Sequence, residues 1–530
     1  MPVSPAGARR EPCRKPARRN ADTSGPAGQE AASGRSAGYD TAAGKPARRN
    51  ADSSKPAGRN ADTGKPAGRN ADTAKPAGQE ADSGRSVGRN AGTGKPAGQE
   101  ADSGRSVGRG GHSGTSAGRG AGSGTSVGRG GGFGRLVGVD AVRGVAVLGM
   151  FAVHVGPEAR PEGARLLIVA ADGRAPALFT LLAGFSLVLA RHRRAGWAER
   201  YRPLLIRCGV LAVLGLALAS LWPGILVILA FFAVYFLAAE PFTRLSTPAL
   251  TAVAAVSVVA GPLLSFLLGP PFGYGTSGRG LVPEAADLTT PAGLGDVLCE
   301  LLLTGAYPLA TYFPYVLAGM ALARLCDVRE RAVARRMAVW GTAAAVAGYG
   351  AAWLATHVSG ARERLLAAIA VHHPEAMAAA DPVREVLRAQ YGAVPSTSWD
   401  WLLVADPYSQ TPLETLGNAG VGTALIGLCA LAARHGVGAR LLRPLAVLGA
   451  MALSAYVVHA LVLAGPAHGA GSWSAWIAFS TAALALTWGW QRVWAHSPLR
   501  RGPVEHALRL ATHGRSRRES PTRPAGHPSA

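Results

Sequence analysis

Three polar side chains within the apolar core of this 530-residue sequence could together perform acid–base chemistry. His154, Asp172 and His459 each lie in a long apolar segment, and the helices that these segments predict would bring all three to the same outer level of the bundle. A neutral imidazole with a carboxylate partner is suited to act as a general base or as an acyl acceptor. We therefore predict a catalytic pocket formed by these three residues. The alternative is that each is a polar interface residue satisfied by a neighbouring helix.

A second candidate site lies near the other end of the first apolar segment. Asp140 and Arg143 are three residues apart, so a helix places them on one face, where they can pair. Arg143 could hold an anionic group such as a nucleotide phosphate, with Asp140 orienting it. The alternative is an ion pair that only fixes the helix in the bundle. Arg143 and His154 are 11 residues apart, about 16 Å along a helix, which separates the two candidate sites.

The elements that must position these residues are membrane-spanning helices. A spanning helix needs about 20 mostly apolar residues, and the apolar stretches here are continuous rather than alternating, as helices require and barrel strands do not. We predict an all-α polytopic membrane protein with ten such helices. They cover approximately residues 137–156, 166–190, 203–221, 223–240, 248–269, 298–324, 337–357, 414–433, 443–464 and 473–494.

The distribution of Lys and Arg predicts the orientation of these helices. Loops on the cytoplasmic side of a membrane carry an excess of basic residues. With ten spans, and with the N-terminus and C-terminus both cytoplasmic, every strongly basic connection falls on that side. These connections are 191–207, 324–336, 434–443 and the tail from Arg492. We therefore expect a multi-pass protein of the cell (cytoplasmic) membrane, with residues 358–413 forming a small folded lid on the opposite face.

Two terminal segments flank the predicted membrane domain at 135–510. Residues 1–134 contain repeated ten-residue units such as KPAGRNADTG, in which Gly, Pro, Asn and Asp leave no apolar face. We predict that this low-complexity tail and residues 511–530 are disordered. The chain carries a net charge of +23, but no aromatic stacking platform interleaves with the basic residues of this tail, so no specific nucleic-acid binding is expected.

Proline and asparagine mark possible breaks in two predicted spans. Tyr307-Pro308 and Phe313-Pro314 interrupt the sixth, and Asn418 lies in the eighth. Broken helices can line a substrate cavity, or the kinks can serve packing alone. The five cysteines are far apart and match no metal-binding spacing, so no metal cofactor is expected.

Several segments carry a family resemblance. The run RLVGVDAVRGVAVLGMFAVHVG at 135–156, with Asp140, Arg143 and Gly144, resembles the first helix of the heparan-alpha-glucosaminide N-acetyltransferase catalytic-domain-like family. This family and its bacterial YeiB-like relatives belong to a transmembrane acyltransferase superfamily. Further similar segments follow in the expected order and extend the resemblance over essentially all of 135–510. They are 171–190 with its leading Asp172, 307–325, 409–422, 448–461 and 500–509.

The resemblance implies an integral membrane acyltransferase. It would take an acetyl group from cytosolic acetyl-CoA, or another acyl group from its acyl-CoA, to an amine or hydroxyl of an envelope glycan or lipid. Asp140 and Arg143 would bind the CoA, with His154 as base or acyl carrier and Asp172 orienting it. The family's catalytic histidine lies between the first two spans, where this sequence reads GPEARPEGAR without a histidine, so His154 is assigned from position.

Two other functions remain open from the residues alone. One is a transporter or exporter of an envelope precursor, which would use the broken sixth helix and the charges within the membrane. The other is a non-catalytic membrane scaffold whose basic tail recruits partners. In each case the lipid bilayer is a partner, and a homo-oligomer is possible.

Overall fold

The computed structural model describes residues 136–157, 171–189, 196–221, 223–269, 281–467 and 471–513, and all the regular structure in these ranges is helical. The all-α prediction is therefore confirmed for this part of the chain. The predicted disorder of residues 1–134 concerns residues outside the described ranges. Most of the predicted tail 511–530 also lies outside them, although the last described helix continues to His513.

Fifteen α-helices make up the described part of the chain. In order they are α1 (Val137–Val155), α2 (Arg174–Leu189), α3 (Trp197–Ala219), α4 (Leu229–Ala239), α5 (Thr247–Leu268), α6 (Pro291–Cys299), α7 (Leu309–Leu325), α8 (Arg331–His357), α9 (Ala361–His372), α10 (Pro382–Ala389), α11 (Pro412–Ala432), α12 (Gly436–Ala450), α13 (Ala452–Ala464), α14 (Trp473–Val493) and α15 (Pro503–His513).

Five of the described helices are long and apolar enough to cross a membrane, namely α1, α3, α5, α8 and α11. Two bent helix pairs, α6 with α7 and α12 with α13, raise the number to seven if each pair forms one span. The predicted multi-pass membrane protein is thus confirmed, with five to seven candidate spans by length and composition. In the predicted segment 223–240, residues 223–228 have no helical structure, and the helix begins at Leu229.

The predicted break at Tyr307-Pro308 is confirmed. After α6, a π-helical turn covers Glu300–Thr304, and α7 begins after Pro308 at an angle of 53°. The predicted break at Phe313-Pro314 is wrong, because Pro314 lies within α7. The backbone of α5 at Gly261 packs directly against Ala310 and Pro314, so α5 supports the turn of α7 that contains Pro314.

The predicted ninth span, 443–464, is wrong as a single helix. Helices α12 and α13 meet at Met451 with a bend of 69°. At the bend, Glu505 of α15 accepts hydrogen bonds from the backbone N–H groups of Leu453 and Ser454, at 2.9 and 3.0 Å. Its other carboxyl oxygen accepts from the Ser454 hydroxyl. A carboxylate at this position satisfies the free N–H groups at the start of α13 and is favoured by the helix dipole.

Glycines bring α1 and α12 into backbone contact at the level of Asp140 and Arg143. A Cβ atom at Gly144 would lie 2.1 Å from the carbonyl oxygen of Leu445. One at Gly449 would lie 1.9 Å from the carbonyl oxygen of Asp140. Small residues permit such close approach between helices in a membrane. The glycine that follows Arg143 in the sequence motif is therefore required by helix packing.

The connection between α8 and α11 folds as a small helical unit, as predicted for the lid. It contains α9, α10 and two 3₁₀ turns at Pro374–Ala378 and Trp399–Leu403. Its buried side chains form an apolar cluster separate from the main core, to which α5 contributes Phe266. The members from the lid include Leu365, Ile369, Val383, Val386 and Trp401.

Acid should loosen this lid. Arg364 donates to both carboxyl oxygens of Asp400, with Nη2 at 2.6 Å from Oδ1 and Nε at 3.0 Å from Oδ2. These hydrogen bonds lower the pKa of Asp400 below its ordinary value. A lowered carboxyl pKa stabilises the fold above the unfolded value of about 4, and the stabilisation is lost as the pH falls through the folded pKa.

We expect amide hydrogen exchange in α9 and Trp399–Leu403 to have the same protection from pH 7 down to about 5, and to lose protection below about 4. Asp400→Asn should remove this acid dependence, whereas Glu375→Gln, at an exposed position of the same lid, should preserve it. An unchanged acid profile in Asp400→Asn would contradict the role of this ion pair.

Candidate functional site

A cavity of about 320 Å³ lies inside the described helices, alongside α1. Arg143, Met150, Val153 and His154 of α1 all contribute to its lining, so it extends along most of that helix. Helices α2, α3, α4 and α13 supply the other walls, which are mainly apolar. The cavity therefore joins the two candidate sites that the sequence placed at opposite ends of α1.

One end of the cavity holds the predicted ion pair. Arg143 Nη1 donates to Asp140 Oδ1 at 2.6 Å, so the predicted pairing is confirmed. Arg143 Nη2 donates to the Ser186 hydroxyl, which fixes the guanidinium between α1 and α2. Ser186 in turn donates to the Leu182 carbonyl. Anion binding by Arg143 remains a prediction.

The other end of the cavity holds a pair of histidines. The Nδ1 atom of His154 lies 2.9 Å from Nε2 of His459, and the two rings are nearly parallel. His459 is buried and packs against Phe151 and Phe479. The structure thus brings together two predicted residues that are 305 positions apart. This contact uses the Nδ1 atom of His154, so Nε2 is the ring nitrogen of His154 that does not take part in it.

Asp172 does not join the histidine pair. Its carboxyl group lies close to the hydroxyl of Tyr408, which lines the cavity. In the described structure Asp172 makes no hydrogen bond to His154, so the predicted orienting contact is absent and His459 takes its place. Asp172 remains a predicted site residue, and the side chain that it lies beside is Tyr408.

The loop that carries Tyr408 has an unusual backbone. Tyr408 and Gln410 have positive φ angles of 69° and 51°. Non-glycine residues adopt such angles at a cost of about 1–3 kcal/mol each, and they occur mostly at functional sites. The buried carboxylate of Glu414 holds this conformation by accepting from Gln410 N–H at 2.5 Å and from the Ser409 hydroxyl at 2.9 Å. The loop is thereby fixed with Tyr408 at the cavity.

Sequence reasoning missed Glu414, although a signal was available. Glu414 and Asn418 are four residues apart on α11, so they share a face, and Asn418 Nδ2 donates to Glu414 at 3.2 Å. Asn418 also donates to Tyr315, at 3.1 Å, and accepts from Tyr349, at 2.6 Å. Arg174 donates to Tyr349 at 2.9 Å. Asn418, which the sequence had linked to a cavity, thus connects a buried polar network.

Removing the Glu414 carboxylate should destabilise the protein. In Glu414→Leu, three buried donors lose their acceptor, at a cost of about 1–3 kcal/mol for each donor left unpaired. Glu414→Gln keeps a side-chain carbonyl and should cost less. Thermal unfolding in detergent measures the difference, with Leu416→Ala on the more exposed face of α11 as the control. Equal melting temperatures for Glu414→Leu and wild type would contradict this role.

No set of three or more His, Cys, Asp or Glu side chains in the described ranges could hold a metal ion. The described cysteines Cys208, Cys299, Cys326 and Cys429 are free thiols.

Comparison with known families divides the chain into two matched regions. Residues 135–358 match the model described as heparan-alpha-glucosaminide N-acetyltransferase, catalytic. Residues 387–515 match the model described as protein of unknown function (DUF418), the YeiB-like domain. No curated protein matches the chain. His154 lies in the first region and His459 in the second, so the histidine pair joins the two.

Proposed function

We propose, from the match of residues 135–358 to the heparan-alpha-glucosaminide N-acetyltransferase catalytic model, that the protein transfers an acetyl group from acetyl-CoA to an amine or hydroxyl of an envelope glycan or lipid. The family implies a membrane-bound N-acetyltransferase that uses acetyl-CoA. The acceptor class is our proposal, as are the roles of the individual residues.

The observation that carries this proposal is the cavity that runs from Arg143 to His154. These residues are about 16 Å apart along α1. Acetyl-CoA has an anionic nucleotide at one end and a thioester at the end of a long flexible arm. A cavity with a guanidinium at one end and an imidazole at the other suits a donor of this shape.

The distribution of basic residues supports one orientation in the membrane. We propose ten crossings with both termini cytoplasmic: the five long spans, the two bent pairs, the short helices α2 and α4, and α14. The basic segment 191–207 includes the first residues of α3, and its charge supports an orientation with the Arg143 end of the cavity toward the cytosol. Acetyl-CoA would enter there, and the acceptor would approach from the opposite side, beside Tyr408 and the lid.

His154 would act as the general base. The acceptor amine attacks the thioester carbonyl, a C–N bond forms, and the C–S bond breaks. The proton of the amine passes to Nε2 of His154, and the CoA thiolate leaves and takes up a proton. His459 positions the base: when Nδ1–H of His154 donates to Nε2 of His459, the other nitrogen of His154 carries the lone pair that a base requires.

Asp172 and Tyr408 would bind the acceptor. Their carboxyl and phenol groups lie close together, and Tyr408 lines the cavity that also contains His154. A carboxylate accepts hydrogen bonds from the ammonium or hydroxyl groups of an amino sugar. In this scheme Asp172 acts on the acceptor and His459 acts on His154.

The test is transfer of label from [¹⁴C]acetyl-CoA to glucosamine and to an extract of envelope glycans and lipids, with the purified protein in detergent. Label should appear in an acceptor, and the Arg143→Ala protein should need more acetyl-CoA for the same rate. Absence of transfer from a folded protein that binds acetyl-CoA would contradict the proposal. Flux of an envelope precursor into proteoliposomes without acyl-CoA would instead support transport, which the two bent helix pairs would suit.

A further inference from the structure

A second arginine lines the same end of the cavity as Arg143. Arg207 lies on α3, and its guanidinium carbon is 4.2 Å from the centre of the Phe236 ring. Its Nε atom is buried and has no hydrogen-bond partner. Within the described ranges, the Arg207 guanidinium forms neither a hydrogen bond nor a salt bridge with any residue. Neither the sequence motif nor the pairing of Arg143 with Asp140 accounts for this side chain.

A half-buried guanidinium that makes no ion pair is costly in a helix bundle. The contact with Phe236 stabilises a guanidinium by about 0.5–2 kcal/mol, which offsets only part of the cost of withdrawing the charge from water. A ligand that brought a negative charge to this position would offset the rest.

The neighbouring polar groups of the cavity are already engaged. Arg143 forms an ion pair with Asp140 and donates a hydrogen bond to Ser186. Glu505 also lines the cavity, but both of its carboxyl oxygens accept hydrogen bonds at the start of α13, from Leu453 and Ser454. Arg207 thus forms no ion pair at this end of the cavity, where it lies close to the guanidinium of Arg143.

We propose that Arg207, together with Arg143, binds a phosphate group of the CoA nucleotide. A guanidinium presents several N–H donors in a fixed plane that matches phosphate oxygens, and a phosphate supplies both the missing charge and the missing acceptors. This inference rests on the proposed acetyl transfer from acetyl-CoA, and it adds a donor-binding residue on α3 to the ion pair on α1.

The test compares ligands with and without phosphate. Calorimetry with the purified full-length protein would measure Kd for CoA, 3′-dephospho-CoA and acetyl-pantetheine, which has no phosphate. Loss of a charge-assisted hydrogen bond should weaken CoA binding to Arg207→Gln by about 10- to 100-fold and leave acetyl-pantetheine binding unchanged. Arg202→Gln, an exposed position on the same helix, is the matched control and should bind CoA as wild type does.

A stability measurement separates binding from folding. Arg207→Met replaces the half-buried cation with an apolar side chain of similar length, so this variant should melt at or above the wild-type temperature while binding CoA as weakly as Arg207→Gln. Comparing CoA with 3′-dephospho-CoA identifies which phosphate Arg207 contacts. Equal affinity of the wild-type protein for the two ligands assigns the contact to the diphosphate, which both of them carry.

The outcomes distinguish this inference from the proposed function. Wild-type affinity for CoA in Arg207→Gln would overturn the role of Arg207 and leave acetyl transfer intact. The CoA-binding role of Arg207 would likewise be overturned if native mass spectrometry showed that the substitution releases a bound anionic phospholipid while CoA binding is unchanged. A wild-type protein that binds neither acetyl-CoA nor acetyl-pantetheine would overturn the proposed function itself.

Discussion

Replacing His154 with alanine should lower the rate of acetyl transfer by about 10²- to 10⁴-fold, the usual contribution of a general base. The affinity for acetyl-CoA should change little, because the donor's anionic groups bind at the other end of the cavity. His459→Phe should keep the packing against Phe151 and Phe479 but remove the hydrogen bond to His154. That variant should lose rate and shift the pH dependence of kcat, since the surviving base has lost its partner.

The control for this series is His372→Ala. His372 is exposed at the end of α9, in the lid, and contacts neither member of the histidine pair. It should transfer acetyl groups as wild type does. Undiminished transfer by a folded His154→Ala protein would show that the reaction does not use His154.

Adding a side chain at the contact of α1 with α12 should have the largest effect on stability. Gly144→Val and Gly449→Val each place atoms where a carbonyl oxygen of the facing helix already lies, about 2 Å from the new Cβ. Overpacking of this kind costs about 1–3 kcal/mol and more where backbone must move. Because Gly449 also faces Arg143 Cβ, these variants should bind acetyl-CoA more weakly.

The matched control is Gly209→Ala on α3, where a Cβ would meet nothing within 4 Å. This change should be neutral or stabilising, since alanine favours a helix over glycine by about 1 kcal/mol. Thermal melting and calorimetry on the three variants test the packing. Wild-type melting of Gly144→Val would contradict the close approach of the two helices.

Local features of the chain could be predicted from the sequence. The pairing of Asp140 with Arg143 follows from a spacing of three residues on one helix, and the structure forms it. Continuous apolar segments predicted the helices, and Tyr307-Pro308 marked a real break. These predictions succeed because the interactions that determine them lie within a few residues of one another.

Features that depend on distant contacts could not be predicted. The bend between α12 and α13 is capped by Glu505, about 50 residues later in the chain. The sequence predicts His154 and His459 at similar depth, but their direct contact, and the proximity of Asp172 to Tyr408, depend on how three helices and a loop pack. In the sequence Arg207 ends a basic connection, and its place in the cavity lining depends on the packing of α3 against its neighbours.

The central claim is that the cavity carries an acetyl group between the two ends of α1. Its most direct test uses proteoliposomes with [¹⁴C]acetyl-CoA added only outside, and glucosamine with an envelope extract trapped inside. For molecules inserted with the Arg143 end outward, labelled product should accumulate inside the vesicles, and His154→Ala should abolish it. Product that forms only when donor and acceptor share one side of the membrane would contradict transfer through this cavity.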